Sequence, residues 1–465
     1  MTRRDWLALG LPAASTMHAG GEEDVYRGAT SRIIEAAMRD REGLRKLGYL
    51  CKRIGHRLSG SSGLTRAVDW AAARMIEDGL ANVRKLPVTV PHWVRGEERA
   101  RAIAPEPRTL TMAGYGGSVG TSGSGLEADV VVATTFEQLE AFGRERVQGR
   151  IVLFNAPFAD AADRFEGYGK TAQYRTQGAS RAAELGAVAC LVRSLTPSSR
   201  RTAHTGAMRY TPAVPRIPAA AVSIDDAEWI ARMVGAGRTV RVRLEMSAHW
   251  LPDAQSANVV GEVRGRELPN EIVVIGGHLD SWDVGQGAHD DGSGCVASMQ
   301  AAALLLKLSL IPRRTVRVVL WTNEENGTAG APAYRSWIGD EIRNHVAAIE
   351  MDMGAEKPVG FGCSLPPGAE TAGKALARIE GLLGPIGAGR RLHRGGGTDI
   401  GPLIGAGVPG LWPVSAAERY FNWHHSAADI VDAVAPDDFR RNLAVMAVLA
   451  YVLADMPGRL AGPQA

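Results

Sequence analysis

The sequence contains few cysteines, no excess of either charge and no long apolar run. Four cysteines occur among 465 residues and none belongs to a C-x-x-C pair, which excludes a zinc ribbon and a dense disulfide scaffold. Cys51, Cys190, Cys295 and Cys363 leave one or two disulfides open. The net charge of +3, from 53 basic and 50 acidic residues, does not favour binding to nucleic acid or to an anionic membrane. No apolar run reaches the length of about 18 residues that a transmembrane helix needs, so we predict no membrane span.

The chain is long enough to form more than one hydrophobic core. With 465 residues, of which 45% are hydrophobic, it exceeds the size that one core normally serves. We therefore expect two or more domains, with small molecules or peptides as partners. The sequence leaves a homodimer open.

The N-terminal segment 1–20, MTRRDWLALGLPAASTMHAG, resembles a short export signal. Arg3 and Arg4 precede an apolar stretch from Trp6 to Ala14, which is followed by small residues suitable for cleavage. This order is typical of a twin-arginine signal and predicts an exported protein, periplasmic or extracellular. An ordinary N-terminus of a cytoplasmic protein is the alternative, and Pro12 inside the short apolar stretch keeps it open.

Three segments with different residue patterns follow. Residues 21–96 are predicted to form a helical part, because apolar residues recur at helical spacing in two helices joined by the loop Gly55–Gly63. Residues 97–248 contain short strand patterns and a helix, and we expect them to form a smaller inserted α/β domain. In residues 249–465 strands and helices alternate up to the C-terminus.

The alternation in residues 249–465 predicts an α/β fold. Four apolar segments have the pattern of buried strands: NEIVVIGG, RTVRVVLWT, VAAIEMD and VPGLWPV. Helical patterns such as CVASMQAAALLLKL lie between them. This order indicates a mixed, largely parallel sheet with helices on both faces. In such a sheet, functional side chains collect at the carboxyl ends of the strands.

Polar clusters stand where these strands end. They are GGHLDSW with GAHDDGSG, then WTNEENG, EMDMG and YFNWHHSAAD. We therefore expect one shared site that contains His278, Asp290, Glu324, Glu325, Asp352 and His425. Histidine nitrogen and carboxylate oxygen are ligands that catalytic zinc accepts. Three carboxylates and one bridging hydroxide balance two divalent cations, whereas a single zinc would leave surplus negative charge in the pocket.

At these clusters the chain resembles the co-catalytic zinc aminopeptidases and carboxypeptidases. Motifs of the same type, in the same order and over nearly the whole chain, are RLSGSSG, PHWVRG, SANVVGE, GGHLDSWDVGQGAHDDGSG, NEENG, GGTDI and YFNWHHS. Each cluster alone has an ordinary structural explanation, such as a turn, a helix cap or a solvated loop, but the ordered set favours the metal site. The resemblance implies the zinc exopeptidase fold, with residues 249–465 as the catalytic domain and residues 21–96 as its N-terminal part.

The resemblance also implies a role for each polar residue. His278 would bind one metal, Asp290 would bridge both, Glu325 and Asp352 would each complete the shell of one metal, and His425 would be the last histidine ligand. Glu324 would be the general base. Three acids would support the ligands: Asp280 would hold the imidazole of His278, Asp291 would follow the bridge at a peptide bond that is often cis in relatives, and Asp429 would accompany His425.

The histidine before the last ligand occupies a position where relatives carry a tyrosine that steadies the oxyanion. His424 is therefore either a catalytic hydrogen-bond donor or a residue that merely packs with Trp423 and Phe421.

The inserted segment has its own resemblance. GRIVLFNAP, GASRAAELGAVACLV and IPAAAVS are similar to a protease-associated domain, which in relatives covers or shapes the substrate entrance. A plain structural insert is the alternative.

The predicted reaction is hydrolysis of short peptides or dipeptides by a hydroxide that bridges two Zn²⁺ ions, with Glu324 as general base. Co²⁺ or Mn²⁺ could occupy the same ligands. A single-zinc enzyme similar to glutaminyl cyclase and a non-catalytic, receptor-like binding scaffold are the alternatives. The metal ligands leave open whether the enzyme is an aminopeptidase, a carboxypeptidase or a dipeptidase.

Overall fold

The computed structural model of the chain describes residues 21–369, 372–393 and 396–461, with side chains from Tyr26 onward. The predicted export signal lies outside the described residues. Within them, no helix combines the length and the apolar character that crossing a membrane would require. All four cysteines are unpaired, and three of them are buried.

The described residues form both β-strands and α-helices, with the following bounds. The strands are β1 (Ala81–Val94), β2 (Glu98–Ala104), β3 (Arg108–Leu110), β4 (Met112–Gly114), β5 (Leu126–Ala133), β6 (Ile151–Phe154), β7 (Ala189–Arg193), β8 (Ala219–Val222), β9 (Arg241–Met246), β10 (His249–Val263), β11 (Leu268–His278), β12 (Arg314–Trp321), β13 (His345–Glu350), β14 (Pro358–Ser364), β15 (Arg390–Leu392) and β16 (Gly410–Ser415). The α-helices are α1 (Gly21–Met38), α2 (Glu42–Tyr49), α3 (Ser62–Glu77), α4 (Phe136–Val147), α5 (Arg164–Glu184), α6 (Ile224–Gly235), α7 (Ser293–Lys307), α8 (Gly330–Ile338), α9 (Ala372–Leu383), α10 (Gly401–Gly405) and α11 (Pro436–Asp455).

The first sheet has eight strands in the order β1-β10-β12-β11-β13-β16-β14-β15. Its central strands β12, β11, β13 and β16 are parallel, β1 and β10 pair antiparallel with their neighbours, and β14 is antiparallel to β16 but parallel to β15. The parallel centre explains why its strands have continuous apolar runs, because both faces are covered.

Alternate side chains of β11 enter different cores. Val273 and Ile275 pack in a cluster with residues of α7 and α11 on one face. Ile272 and Val274 pack with residues of α8 and α10 on the other. This two-residue period is the one expected for a strand between two helical layers.

The second sheet also has eight strands, in the order β3-β2-β9-β5-β6-β7-β8-β4, and its strands all lie within residues 98–246. We call this part of the chain the insert. The chain leaves the first sheet after β1 and returns to it at β10, and these two strands pair antiparallel from Ala81 with Glu262 to Val94 with His249. The predicted fold class, mixed α/β with sheets flanked by helices, is confirmed.

The edge strand β1 of the first sheet was not predicted. The segment 21–96 was expected to be helical, but it contains three α-helices rather than two, and its end forms β1. Leu86, Val88 and Val90 alternate into the core, but Pro87 and Pro91 interrupt the strand signal in the sequence. Proline is tolerated here because β1 is an edge strand, which leaves one side of its backbone without a ladder partner.

Candidate metal centre

The predicted ligands meet at one edge of the first sheet. His278 is the last residue of β11, Glu325 follows β12 by four residues and Asp352 follows β13 by two. Because these strands are parallel, their carboxyl ends lie side by side. Asp290, in the turn before α7, and His425, in the loop after β16, complete the group.

Asp290 lies at the centre of the site, and its two carboxylate oxygens face different histidines. Oδ1 is 3.2 Å from Nε2 of His278, and Oδ2 is 3.3 Å from Nε2 of His425. Each oxygen therefore belongs to a separate group of donor atoms.

The other two carboxylates divide between the same two groups. Asp352 Oδ1 lies 3.4 Å from His278 Nε2, and Glu325 Oε2 lies 3.1 Å from His425 Nε2. The donor atoms of His278, Asp290 and Asp352 all lie within 4.8 Å of one another, as do those of Asp290, His424 and His425. The sequence-predicted ligands thus come together, with His424 beside them.

The donor atoms of this site fit zinc. Asp290 Oδ2 and Glu325 Oε1 are buried and have no hydrogen-bond partner within the described residues. Burial and the nearby carboxylate of Asp290 raise the pKa of Glu325 to about 7. Burial opposes protonation of His278, yet Asp352 and Asp290 raise its pKa well above the usual value. The site thus places several carboxylate oxygens beside imidazole nitrogens. A divalent cation would bind these N and O ligands and offset their charge.

The carboxylate of Asp280 holds backbone rather than the imidazole. It accepts hydrogen bonds from the backbone N–H groups of Glu324 at 3.0 Å and Glu325 at 3.2 Å. His278 Nδ1 is 3.1 Å from the backbone carbonyl of Asp280, but 3.8 Å from its carboxylate. Asp280 therefore fixes the imidazole through its main chain and fixes the Glu324–Glu325 loop through its side chain.

Asp291 and Asp429 also act on backbone groups. Asp291 accepts hydrogen bonds from the N–H of His278 at 3.1 Å and from the N–H of Gly294 at 3.0 Å, near the start of α7. The Asp290–Asp291 peptide bond is cis. Asp429 accepts from the N–H of His289 at 2.7 Å and from that of Asp290 at 3.2 Å. These two acids hold both sides of the central carboxylate in place.

Glu324 faces the cavity beside the ligands. Burial raises its pKa well above the usual value, and the carboxylates of Asp352 and Glu325 raise it further against the opposing effect of His278. A carboxylate with a raised proton affinity is suited to accept a proton near neutral pH.

His424 lies at the site rather than away from it. Its Nε2 is 3.6 Å from Asp290 Oδ2, and its ring stacks on that of His425 with centroids 3.6 Å apart. Phe421 does contact the ring, but Trp423 stacks on His289 instead. Burial and the neighbouring His425 lower the pKa of His424 well below the usual value, so that the ring is neutral.

A cavity of about 330 Å³ opens over the site. Its lining combines the first sheet and the insert: Phe165, Tyr168, Arg175, Ala207, Asp290, Glu324, Glu325, Asp352, Met353, Gly396, Gly397, Thr398, Tyr420, His424 and His425. Arg175, on α5, donates a hydrogen bond to the hydroxyl of Tyr168, while its Nε is buried without a hydrogen-bond partner among the described residues. Arg175 forms no ion pair with a carboxylate in residues 21–369, 372–393 and 396–461.

Sequence reasoning missed several residues around the site. Asp399, in the GGTDI motif, is buried, and burial and Glu350 raise its pKa well above the usual value. Glu350 is also buried and accepts a hydrogen bond from the N–H of Ile400 at 2.8 Å. Membership of the GGTDI motif was the only available signal for Asp399, and membership of the EMDMG cluster was the only one for Glu350.

Arg57, in the RLSGSSG motif, is a further missed residue. Its buried guanidinium donates to the carbonyls of Leu279 and Gln286 at 2.7 Å and of Gly287 at 2.9 Å. It thereby ties together the loop that runs from His278 to Asp290.

Comparisons with known proteins agree with this geometry. The chain matches the model of peptidase family M28 over residues 258–450. It is 40% identical to carboxypeptidase Q of Homo sapiens over 411 residues, which cover 88% of this chain and 85% of that protein. It is 39% identical to carboxypeptidase Q of Mus musculus over 434 residues, with 93% and 90% covered.

Solved structures give the same result. The crystal structure of a peptidase M28 precursor from Shewanella amazonensis SB2B superposes with a TM-score of 0.90 at 35% identity, covering 95% of this chain and 100% of the other. A zinc aminopeptidase from Bacillus subtilis shares the fold, with a TM-score of 0.65 at 17% identity and coverage of 90% and 96%. The resemblance predicted from the motifs is confirmed, and the chain belongs to peptidase family M28.

Proposed function

We propose that this protein is a di-zinc metallo-exopeptidase that hydrolyses short peptides or dipeptides. Membership of family M28, with carboxypeptidase Q among its relatives, makes it a zinc-dependent exopeptidase. The observation that supports two ions is the placement of Asp290 between His278 and His425, with one carboxylate oxygen toward each. One ion would be held by His278, Asp290 and Asp352, and the other by Asp290, Glu325 and His425.

Zinc in these positions would polarise the scissile carbonyl and lower the pKa of a water molecule. Glu324 would take the proton of that water and return it to the leaving amine. Its position at the cavity wall and its raised pKa support this role. The neutral imidazole of His424 lies at the same wall, where an N–H could donate to the oxyanion.

The cavity favours a short substrate with a free carboxylate. Arg175 brings a positive charge into the cavity lining, where no carboxylate of the described residues pairs with it. A planar guanidinium in the cavity lining suits a carboxylate. The name of the relatives, carboxypeptidase Q, also supports recognition of the C-terminal end of the peptide.

Two further proposals concern the insert and the location of the protein. The insert supplies Phe165, Tyr168 and Arg175 to the cavity, which supports a protease-associated domain that shapes the substrate entrance.

The N-terminal segment 1–20 supports export by the twin-arginine route. Replacing Arg3 and Arg4 with lysines should leave a twin-arginine substrate in the cytoplasm, and an unchanged distribution would contradict this route.

Metal analysis together with a dipeptide panel tests the proposed function. A di-zinc peptidase should contain about two zinc ions per chain. It should also hydrolyse free dipeptides, and blocking either terminus identifies the end that it requires. About one zinc ion per chain, with cyclisation of N-terminal glutamine, would support a glutaminyl cyclase instead. No zinc and no hydrolysis would support a binding scaffold.

A further inference from the structure

The insert contacts the loop that carries the last two histidines through the short segment 202–206. His204 forms an isolated antiparallel bridge with Ser426, directly after His425. We infer that this segment positions the zinc ligand His425, with His204 as a positioning residue, so that one of the two metal sites depends on the insert. The inference rests on the proposed function, in which His425 binds zinc.

The backbone of Thr205 contacts His425 on two sides. The N–H of Thr205 donates to the carbonyl of His425 at 2.8 Å, and Nδ1 of His425 lies 3.3 Å from the carbonyl of Thr205. A carbonyl can only accept, so Nδ1 carries a proton and Nε2 is the nitrogen left for a metal once its own proton is displaced. Nε2 faces the space shared with Asp290 at 3.3 Å and Glu325 at 3.1 Å. The insert therefore selects the tautomer that a metal ligand needs.

The side chain of His204 holds the neighbouring peptide. Its ring is only 2% exposed, and its Nδ1 donates to the carbonyl of His424 at 2.7 Å. The hydroxyl of Thr202 lies 2.8 Å from the other ring nitrogen, Nε2, and completes its hydrogen bonding. The carbonyls of His424 and His425 are thus both bound by residues of the insert.

These contacts explain how His425 keeps an unfavourable backbone conformation. Its φ of +58° lies in the left-handed region, which residues other than glycine adopt only when their surroundings enforce it. Gly206 permits the close approach, because a Cβ atom there would lie 2.8 Å from His425 Nδ1 and 2.5 Å from Arg175 Nη1. A side chain at this position would therefore have to displace Arg175 or the ring of His425.

The other metal site has independent support. His278 and Asp352 follow strands of the first sheet, and His278 is held by Asp280, Asp290 and Asp291. No hydrogen bond in the described residues joins His278 or Asp352 to segment 202–206. Loosening the segment should therefore weaken zinc binding at the His425 site and leave zinc binding at the His278 site unchanged.

His204→Leu and His204→Asn test the inference as a pair. Leucine fills a similar volume without a donor, whereas the amide N–H₂ of asparagine can replace Nδ1–H. Ser198→Ala is the matched control, because it removes another hydrogen bond between the insert and the same loop, Ser198 to Asn422 at 2.5 Å. Zinc is removed from the full-length protein and returned against a chromophoric chelator, which gives a dissociation constant for each site. The visible spectrum of the Co²⁺-loaded protein reports the geometry of the ligands.

We expect His204→Leu to raise the zinc dissociation constant of one site by about 10- to 100-fold and to leave the other within about twofold. The Co²⁺ spectrum should change in the same variant, and His204→Asn and Ser198→Ala should resemble the wild type. If His204→Leu does not fold, Thr202→Val takes its place, with a smaller loss at the same site.

Several results would overturn the inference. They are two unchanged sites, an equal loss at both sites, or a His204→Asn variant as weak as His204→Leu. Wild-type protein with fewer than two zinc ions would overturn the proposed function itself, so the two failures are distinguishable.

Discussion

Asp290 lies between His278 and His425, with one carboxylate oxygen 3.2 Å from the first ring and the other 3.3 Å from the second. The two histidines come from different parts of the fold, the end of a central strand and a loop held by the insert. The proposed metal site therefore depends on both the first sheet and the insert, whose histidines converge on one carboxylate. Asp429 and Asp291 fix the backbone on both sides of it.

Asp290→Ala should remove both metals, because the side chain is shared between the two donor groups. We expect less than one zinc ion per chain by elemental analysis and no measurable dipeptide hydrolysis. Asp432→Ala is the matched control, since Asp432 is exposed and, within the described part of the chain, pairs only with Lys52 at 2.8 Å. If Asp290→Ala retained two zinc ions, the bridging assignment would be wrong.

Glu324→Gln should keep both metals and lose most activity. The amide has nearly the same shape but cannot accept the proton, and general acid–base steps contribute about 100- to 10,000-fold. We expect a fall of kcat within that range at unchanged zinc content. Glu267→Gln, which alters an exposed glutamate outside the cavity, controls for the loss of charge. Near-normal turnover would remove Glu324 from the mechanism.

The convergence of the proposed ligands could be predicted from the sequence because it depends on local order. His278, Glu325 and Asp352 each follow an apolar run, and parallel strands place such residues at one edge whatever the details of packing. Family motifs then supplied the bridging role of Asp290 and the choice of His425 rather than His424 as the last ligand. The alternation of strands and helices likewise fixed the fold class of residues 249–465.

Residues supplied by long-range packing could not be predicted. Arg175 and His204 lie in the insert, at positions without any local pattern that marks a site, and only the docking of the insert brings them to His425. The strand β1 was missed because Pro87 and Pro91 obscure its alternation. Asp280 was expected to hold the imidazole of His278 and does lie beside it. Its carboxylate instead accepts hydrogen bonds from the backbone of Glu324 and Glu325, because two N–H groups there need an acceptor.

His424→Ala should lower kcat with both zinc ions retained. Its Nε2 reaches the reaction space beside Asp290, and losing one oxyanion donor typically costs about 10²- to 10³-fold in kcat. Steady-state kinetics with zinc analysis on the same sample measures the effect, and KM should change little. A normal kcat would support simple packing against Phe421. A lost zinc ion would make His424 a ligand.

Arg175→Gln should abolish discrimination between a dipeptide and its C-terminal amide. If the guanidinium binds the free carboxylate, kcat/KM for the acid falls by about 100-fold, while that for the amide is unchanged. Arg181→Gln is the control, because Arg181 lies on the same helix but is exposed and faces Glu140 at 3.5 Å. Equal losses on both substrates would indicate a structural role for Arg175, and no loss on either would exclude it from substrate binding.

Zinc affinity should rise with pH through neutrality. Burial and the carboxylate of Asp290 raise the pKa of Glu325 to about 7 in the metal-free protein. Burial opposes protonation of His425, but Glu325 raises its pKa well above the usual value. Below these pKa values both groups carry protons that zinc must displace, so binding is weaker at lower pH.

Chelator competition between pH 6 and pH 8 measures this dependence. Each displaced proton should weaken binding by about tenfold per pH unit below the pKa of its group. Titration calorimetry in two buffers of different ionisation enthalpy counts the released protons directly. Glu325→Gln removes one titrating group, so its pH profile should be shallower than that of the wild type. A zinc affinity that stays constant or falls from pH 6 to pH 8 would contradict the proposed ligands, because a site built from Glu325 and His425 cannot bind a cation without losing those protons.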